Sequence, residues 1–169
     1  MVDASWAIAD DLQSFITERF AKHRYTDVVE FGSGLSTKLF ADLKPAWGIV
    51  TAYEQSPEYA AQTRELVGGV PGVTVVEAPI VDGWYGSVRM PDIIDFVLVD
   101  GPGPCENRTR EPAMDAVYRS LVPGAMIVVD DATREESILD VAGWINRYPD
   151  LYGRGYNHDR GTYVLVKHP

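Results

Sequence analysis

Six carboxylates stand directly after short apolar runs: Glu30, Glu54, Glu77, Asp100 and the adjacent pair Asp130-Asp131. Carboxylates gathered in one place can accept hydrogen bonds from sugar hydroxyls, stabilise a ligand's positive charge, hold a hard divalent ion or take up a proton. Any one of them alone could equally be a helix cap or a solvated turn acid. That every one of these runs ends in an acid favours a common site.

The first of these acids opens a stretch with a chemistry of its own, Glu30-Phe31-Gly32-Ser33-Gly34-Leu35-Ser36-Thr37. Small residues at this point let the backbone turn sharply and let a ligand approach the unpaired amides of a following helix. The stretch matches part of the dinucleotide pattern G-x-G-x-x-G, with Thr37 where the third glycine would stand. Glu54 lies 20 residues after Gly34, the spacing at which an acid accepts both ribose hydroxyls of an adenosine. A pyrophosphate cofactor such as NAD would sit among Glu30, Glu54, Asp100 and Asp130 without a basic residue in the glycine loop, which is electrostatically poor. S-adenosylmethionine carries a sulfonium and an ammonium group that the same acids would stabilise.

The elements that must position these residues read as alternating strands and helices. Strands are expected at Asp27–Phe31, Gly48–Tyr53, Val73–Val76, Ile94–Val99 and Ala125–Val129, with helices at Leu35–Leu43, Pro57–Val67, Arg110–Leu121 and Glu135–Arg147. An amphipathic helix over Ser5–His23, capped by Ser5, precedes them, with Trp6, Ile8, Leu12, Phe15, Ile16 and Phe20 on its apolar face. Leu151–Tyr156 and Thr162–Val166 flank the turn-rich Asn157 to Gly161, a hairpin signature. Runs such as Phe96 to Val99 are apolar throughout, as strands covered on both faces are. The expected architecture is α/β: a doubly wound, Rossmann-like sheet of about seven strands, mostly parallel, with an antiparallel C-terminal hairpin. Residues 1–169 are expected to form one domain, with an N-terminal helix over 1–23 and the core over 27–169. In such a sheet ligands bind outside the carboxyl ends of the strands, where the acids stand.

Composition narrows the function further. The 169 residues carry 15 Lys plus Arg against 25 Asp plus Glu, a net charge of −10. That is the wrong sign for counterion-releasing contact with nucleic acid. No run approaches the roughly 20 apolar residues of a membrane span, and the first residues lack a basic and apolar leader. A single cysteine, Cys105, forms no internal disulfide and has no base beside it in sequence. A cytoplasmic location is expected.

On these residues the chain resembles the class I S-adenosylmethionine-dependent methyltransferases, whose first motif is an acid followed by G-x-G and whose second strand ends in an acid. Here those are Glu30-Phe31-Gly32-Ser33-Gly34 and Glu54. Asp95 to Asp100, Leu121-Val122-Pro123-Gly124 and the final hairpin extend the resemblance over nearly the whole chain. It implies that Glu30 holds the methionine ammonium directly or through water. It also implies that Gly32, Ser33, Gly34 and Ser36 line the methionine, that Glu54 binds ribose and that Glu77-Ala78 flank adenine. Trp84 and Tyr85 either cover the purine or pack against the sheet edge.

Methyl transfer to a hydroxyl requires alignment and removal of a proton. Asp100, Asp130 and Asp131 would suit Mg²⁺, and they look like the ligand set of metal-dependent O-methyltransferases of the catechol and sugar types, with Asp131 in place of the catechol type's Asn. Asp130-Asp131 could instead cap the following helix. Catalytic candidates are Asp100 and His158, the latter on the hairpin turn that returns to the same rim. Arg108, Arg110 and Arg134 either bind an anionic acceptor or neutralise the aspartates. The fourth strand is followed by Asp100-Gly101-Pro102-Gly103 rather than an Asn-Pro-Pro-Tyr-type sequence, which favours oxygen acceptors. The expectation is O-methylation of a small molecule. The alternatives are a non-catalytic S-adenosylmethionine-binding protein and an aminopropyltransferase, whose Gly-Gly-Gly-Asp-Gly style loop is missing.

Overall fold

A computed structural model of the chain describes residues 7–86, 88–105 and 107–169. Strands β1 (Asp27–Phe31), β2 (Ile49–Glu54), β3 (Val73–Glu77), β6 (Ile94–Val99), β7 (Leu121–Val129), β8 (Leu151–Tyr156) and β9 (Thr162–Lys167) form a seven-stranded sheet in the order β3-β2-β1-β6-β7-β9-β8. The first five of these in sequence pair in parallel; β9 runs antiparallel to both β7 and β8. Strand order reverses between β1 and β6, which opens the crevice at their carboxyl ends.

Side chains alternate across the central strands and build two cores. Val28, Phe96, Leu98 and Val128 face α1 (Asp10–His23) and α2 (Leu35–Leu43), where Leu12, Ile16, Phe20 and Phe40 are buried. Val29, Phe31, Val97, Val99 and Val129 face α4 (Pro112–Val117) and α5 (Glu135–Arg147), whose buried Met114 and Trp144 complete the second layer. The Trp144 indole, fully buried, donates to the Glu111 carbonyl at 2.8 Å, so its one polar atom is satisfied. Helix α3 (Pro57–Val67) packs against α2 and β3. Among the described residues no helix is long and apolar enough to cross a membrane.

Several elements differ from expectation. Helix α1 begins at Asp10 with Ala9 as its N-cap residue; Asp10 and Asp11 complement the positive end of the helix dipole in place of a side-chain cap, while Ser5 and Trp6 lie outside the described residues. The helix expected over Arg110–Leu121 closes early: α4 gives way to a 3₁₀ turn over Tyr118–Ser120, and Leu121 already belongs to β7. Pro123 and Gly124 are accommodated within that strand because the pairing jumps from Ile94 opposite Leu121 to Phe96 opposite Met126, leaving the intervening residues of β7 bulged. A two-stranded ribbon, β4 (Ile80–Val81) with β5 (Trp84–Tyr85), was not foreseen. It presses Trp84 and Tyr85 onto Phe31, with ring centroids 4.8 and 5.7 Å apart.

Candidate functional site

Beyond the carboxyl ends of β1, β2, β6 and β7 lies a cavity of about 530 Å³, a size typical of small-ligand sites. One wall is the glycine loop. Gly32 has φ +94°, and a Cβ there would stand 3.1 Å from the Gly101 amide nitrogen, so the loop after β1 and the loop after β6 approach as closely as backbones can only where a side chain is missing. Gly101 is constrained likewise, since a Cβ on it would collide with the Tyr85 hydroxyl.

Glu54 ties this wall together. Its Oε2 accepts from the Ser33 amide and the Ser33 hydroxyl, both at 3.0 Å, and its Oε1 accepts from the Ser56 amide at 2.9 Å. Ser56 in turn caps α3, its hydroxyl accepting from the Tyr59 amide at 3.3 Å. A carboxylate offers about four lone-pair directions, and Glu54 lines the cavity with capacity left for a ligand hydroxyl.

Glu30 points from β1 toward the start of α2 and is fully buried. The Gly34 amide donates to the Thr37 hydroxyl at 3.0 Å, and that hydroxyl donates to Glu30 Oε2 at 2.6 Å. Thr37, standing where the dinucleotide pattern has its third glycine, thus relays the loop to the buried acid. Glu30 Oε1 is buried without a hydrogen-bond partner. Burial pushes this carboxyl up to about 8, with the charges of Asp100 and Glu54 adding to the effect and the Ser36 and Thr37 hydroxyls opposing it.

The opposite wall is the acidic cluster. One oxygen each from Asp100, Asp130 and Asp131 lies within 4.8 Å of the others. Asp131 adopts φ +54°, an uncommon conformation for a non-glycine residue that turns its side chain back toward the cluster. Burial pushes Asp100 up to about 7, with the neighbouring Asp130 charge adding; Asp130 is raised for the same reason, and its Oδ2 is buried without a partner. The buried guanidinium of Arg110 runs beneath the cluster. It donates to the Asp130 carbonyl at 2.6 Å and to the Asp100 carbonyl, and stands 3.8 Å from Asp131 Oδ2. Arg134 pairs with Asp131 at 2.8 Å.

The remaining expected site residues divide. Gly32, Ser33, Glu54, Asp100 and Asp131 line the cavity; Gly34 ends the glycine loop without lining it, and Glu30, Ser36 and Asp130 are buried. Glu77 instead pairs with Arg64 at 2.7 Å, and Ala78 is sealed in the core, its amide donating to the Glu54 carbonyl. His158 does not line the cavity. Its ring lies against Phe15 and Tyr156, and its Nδ1 meets the Thr162 hydroxyl at 2.9 Å, because the hairpin turn leans onto α1. The turn's contribution to the cavity is Arg160, which sequence reasoning missed, as it did Gln55, Ser56 and Tyr59. The Ser56-Pro57 pair was the available signal for the last two, since a serine cap before a proline marks a helix start at a strand's carboxyl end.

No family model matches the chain, and no curated protein matches it in sequence. Solved structures do. A Klebsiella pneumoniae protein provisionally designated an O-methyltransferase superposes with TM-score 0.79 at 20% identity, over 99% of this chain and 84% of that one. The chain has the methyltransferase fold. The Streptomyces achromogenes O-methyltransferase TomG, solved with S-adenosylmethionine, gives TM-score 0.72 at 13% identity over 97% and 82% of the two chains. A Bacillus cereus O-methyltransferase solved with S-adenosylhomocysteine gives 0.72 at 14%, over 95% and 82%.

Proposed function

We propose that the protein is an S-adenosylmethionine-dependent O-methyltransferase acting on a small-molecule acceptor. The observation that carries this reading is the cavity itself: a glycine loop braced by Glu54 on one side and Asp100 with Asp131 on the other, around a space of about 530 Å³. In it, the loop from Gly32 to Gly34 with Ser36 holds the methionine moiety, Glu54 holds the ribose, and Glu30, buried behind that loop, acts on the ammonium through water. The solved O-methyltransferases of the same fold, two of them with cofactor or product bound, support this assignment over an aminopropyltransferase or a non-catalytic binder.

Transfer requires that the acceptor hydroxyl lose its proton while its oxygen attacks the sulfonium methyl, leaving a neutral thioether. Asp100, pushed up to about 7 by burial and by Asp130, takes that proton in this reading. Asp100, Asp130 and Asp131 also fit a hard divalent ion such as Mg²⁺, with oxygen donors only and one of them, Asp130 Oδ2, buried without a partner. Such an ion would lower the acceptor's pKa and orient its oxygen. Titration calorimetry with S-adenosylhomocysteine, followed by a methylation screen of hydroxyl compounds, tests the assignment. Micromolar-range binding and methyl ethers are expected; failure to bind the product overturns it.

A further inference from the structure

The wall of the cavity nearest the acidic cluster carries a set of cations that methyl transfer to a neutral acceptor does not call for. Arg108, Arg134 and Arg160 all line it, from the β6–α4 loop, the β7–α5 loop and the β8–β9 turn. In a chain with 15 basic residues against 25 acidic ones, three guanidinium groups brought to one cavity from three separate segments need a reason.

Neutralising the aspartates does not supply it. That role falls to the buried Arg110, with Arg134 on Asp131. Arg108 pairs with Glu136, at 2.7 Å, on the surface of α5; ion pairs with a solvent-exposed partner contribute little. Arg160 has no carboxylate within ion-pair distance among the described residues, although its charge is felt at Asp100 and Asp130. Its backbone is nevertheless fixed. The Thr133 amide and hydroxyl both donate to the Arg160 carbonyl, at 3.4 and 3.0 Å, and the Ala132 amide donates to the Gly161 carbonyl at 3.0 Å. The turn is thereby fastened to the loop that bears Asp131 and Arg134, which is how a cation without a protein partner is kept at the cavity's edge.

We propose that the acceptor carries an anionic group, a carboxylate or a phosphate ester, and that Arg160 binds it together with Arg108 while the acceptor's hydroxyl faces Asp100. Guanidinium groups suit both anions, through paired N–H donors that a lysine could not offer. This rests on the methyltransferase reading, in which Glu54 marks the cofactor's end of the cavity and the arginines the acceptor's.

The test uses the full chain saturated with S-adenosylhomocysteine and two matched pairs of probes: 3,4-dihydroxybenzoate beside 3,4-dihydroxybenzamide, and glucose 6-phosphate beside glucose. Calorimetric or spectral titration should show at least one anionic member binding about tenfold or more tightly than its neutral partner, the gain of a charge-assisted hydrogen bond in a partly desolvated site. Arg160→Gln should reduce that preference to within about threefold, and Arg108→Gln should weaken it in part, with S-adenosylhomocysteine affinity and melting temperature unchanged. Equal affinity for both members of each pair overturns the proposal. So does a loss of S-adenosylhomocysteine binding in a folded Arg160→Gln protein, which would assign the arginine to the cofactor's own carboxylate. If the wild-type chain fails to bind S-adenosylhomocysteine, the methyltransferase reading falls first. The same probes on the ligand-free chain then decide the anion site separately, an Arg160-dependent preference upholding it and equal affinity rejecting it.

Discussion

Replacing Glu30 with Gln should make the protein's stability less dependent on pH, in a direction and by an amount that follow from the site. The carboxyl is fully buried, and burial raises it to about 8, against about 4.3 for a solvated glutamate. A carboxyl whose folded pKa lies above its unfolded one contributes most to stability below pH 4.3. The contribution falls as pH rises, because the unfolded chain ionises freely while the folded one holds its proton, and the loss levels off above pH 8. With those two values, the wild-type protein loses roughly 2 to 3 kcal/mol from this group between pH 6 and pH 9. Glu30→Gln loses none of it. The amide keeps the acceptor for Thr37 but places an NH₂ group where Oε1 already lacks a partner, a cost of about 1–3 kcal/mol that does not vary with pH. Urea denaturation of both proteins at pH 6 and pH 9 isolates the effect, since every other titrating group is common to the two. The variant should gain on the wild type by those 2 to 3 kcal/mol as pH rises. A gap that stays constant would mean that Glu30 is ionised in the folded protein, and the account of a buried, protonated acid would be wrong.

Glu54→Ala should weaken S-adenosylhomocysteine by about tenfold or more in calorimetry, because it removes the proposed ribose acceptor and frees Ser33 and Ser56 at once; an unchanged affinity would place the nucleoside elsewhere. Treatment with EDTA should abolish turnover and Mg²⁺ restore it, with product binding unaffected, if Asp100, Asp130 and Asp131 hold an ion; turnover that survives chelation leaves Asp100 as the sole proton acceptor, and Asp100→Asn should then abolish it. His158→Ala should leave the rate of methyl transfer within about twofold while costing roughly 1 kcal/mol in denaturation, since its contacts are Phe15, Tyr156 and Thr162 rather than the cavity; a large loss of rate would return it to the site.

The strands were legible because burial on both faces writes itself into composition: Val28-Val29 and Phe96 to Val99 tolerate no polar residue between two helical layers. Glu54, Asp100 and Asp131 were legible for the converse reason, since a polar residue ending such a run leaves the core for the crevice; Glu30, at the end of β1, stays buried instead. Arg160 was not. Its position depends on hydrogen bonds from Ala132 and Thr133, contacts between segments that no local pattern reports. Glu77 shows the same limit from the other side: its place after β3 suits a ligand, but Arg64 on α3 projects across the strand end and claims it. The short α4 and the bulged β7 escaped because Pro123-Gly124 read as a turn, whereas the register shift against β6 carries them as strand.

The strand order has a consequence for how the chain comes off the ribosome. Strand β9 lies between β7 and β8, although β8 precedes it in sequence. Until residues 162–167 emerge, β7 presents an open edge of backbone donors and acceptors and β8 has no strand to pair with. The parallel half of the sheet can meanwhile form, with its glycine loop and Glu54 in place. A nascent chain stalled before residue 162 would therefore carry the glycine loop and Glu54 beside a sticky flank and no fastened Arg160. Such a species is prone to edge-to-edge association, so chaperone contact during synthesis should concentrate on β7.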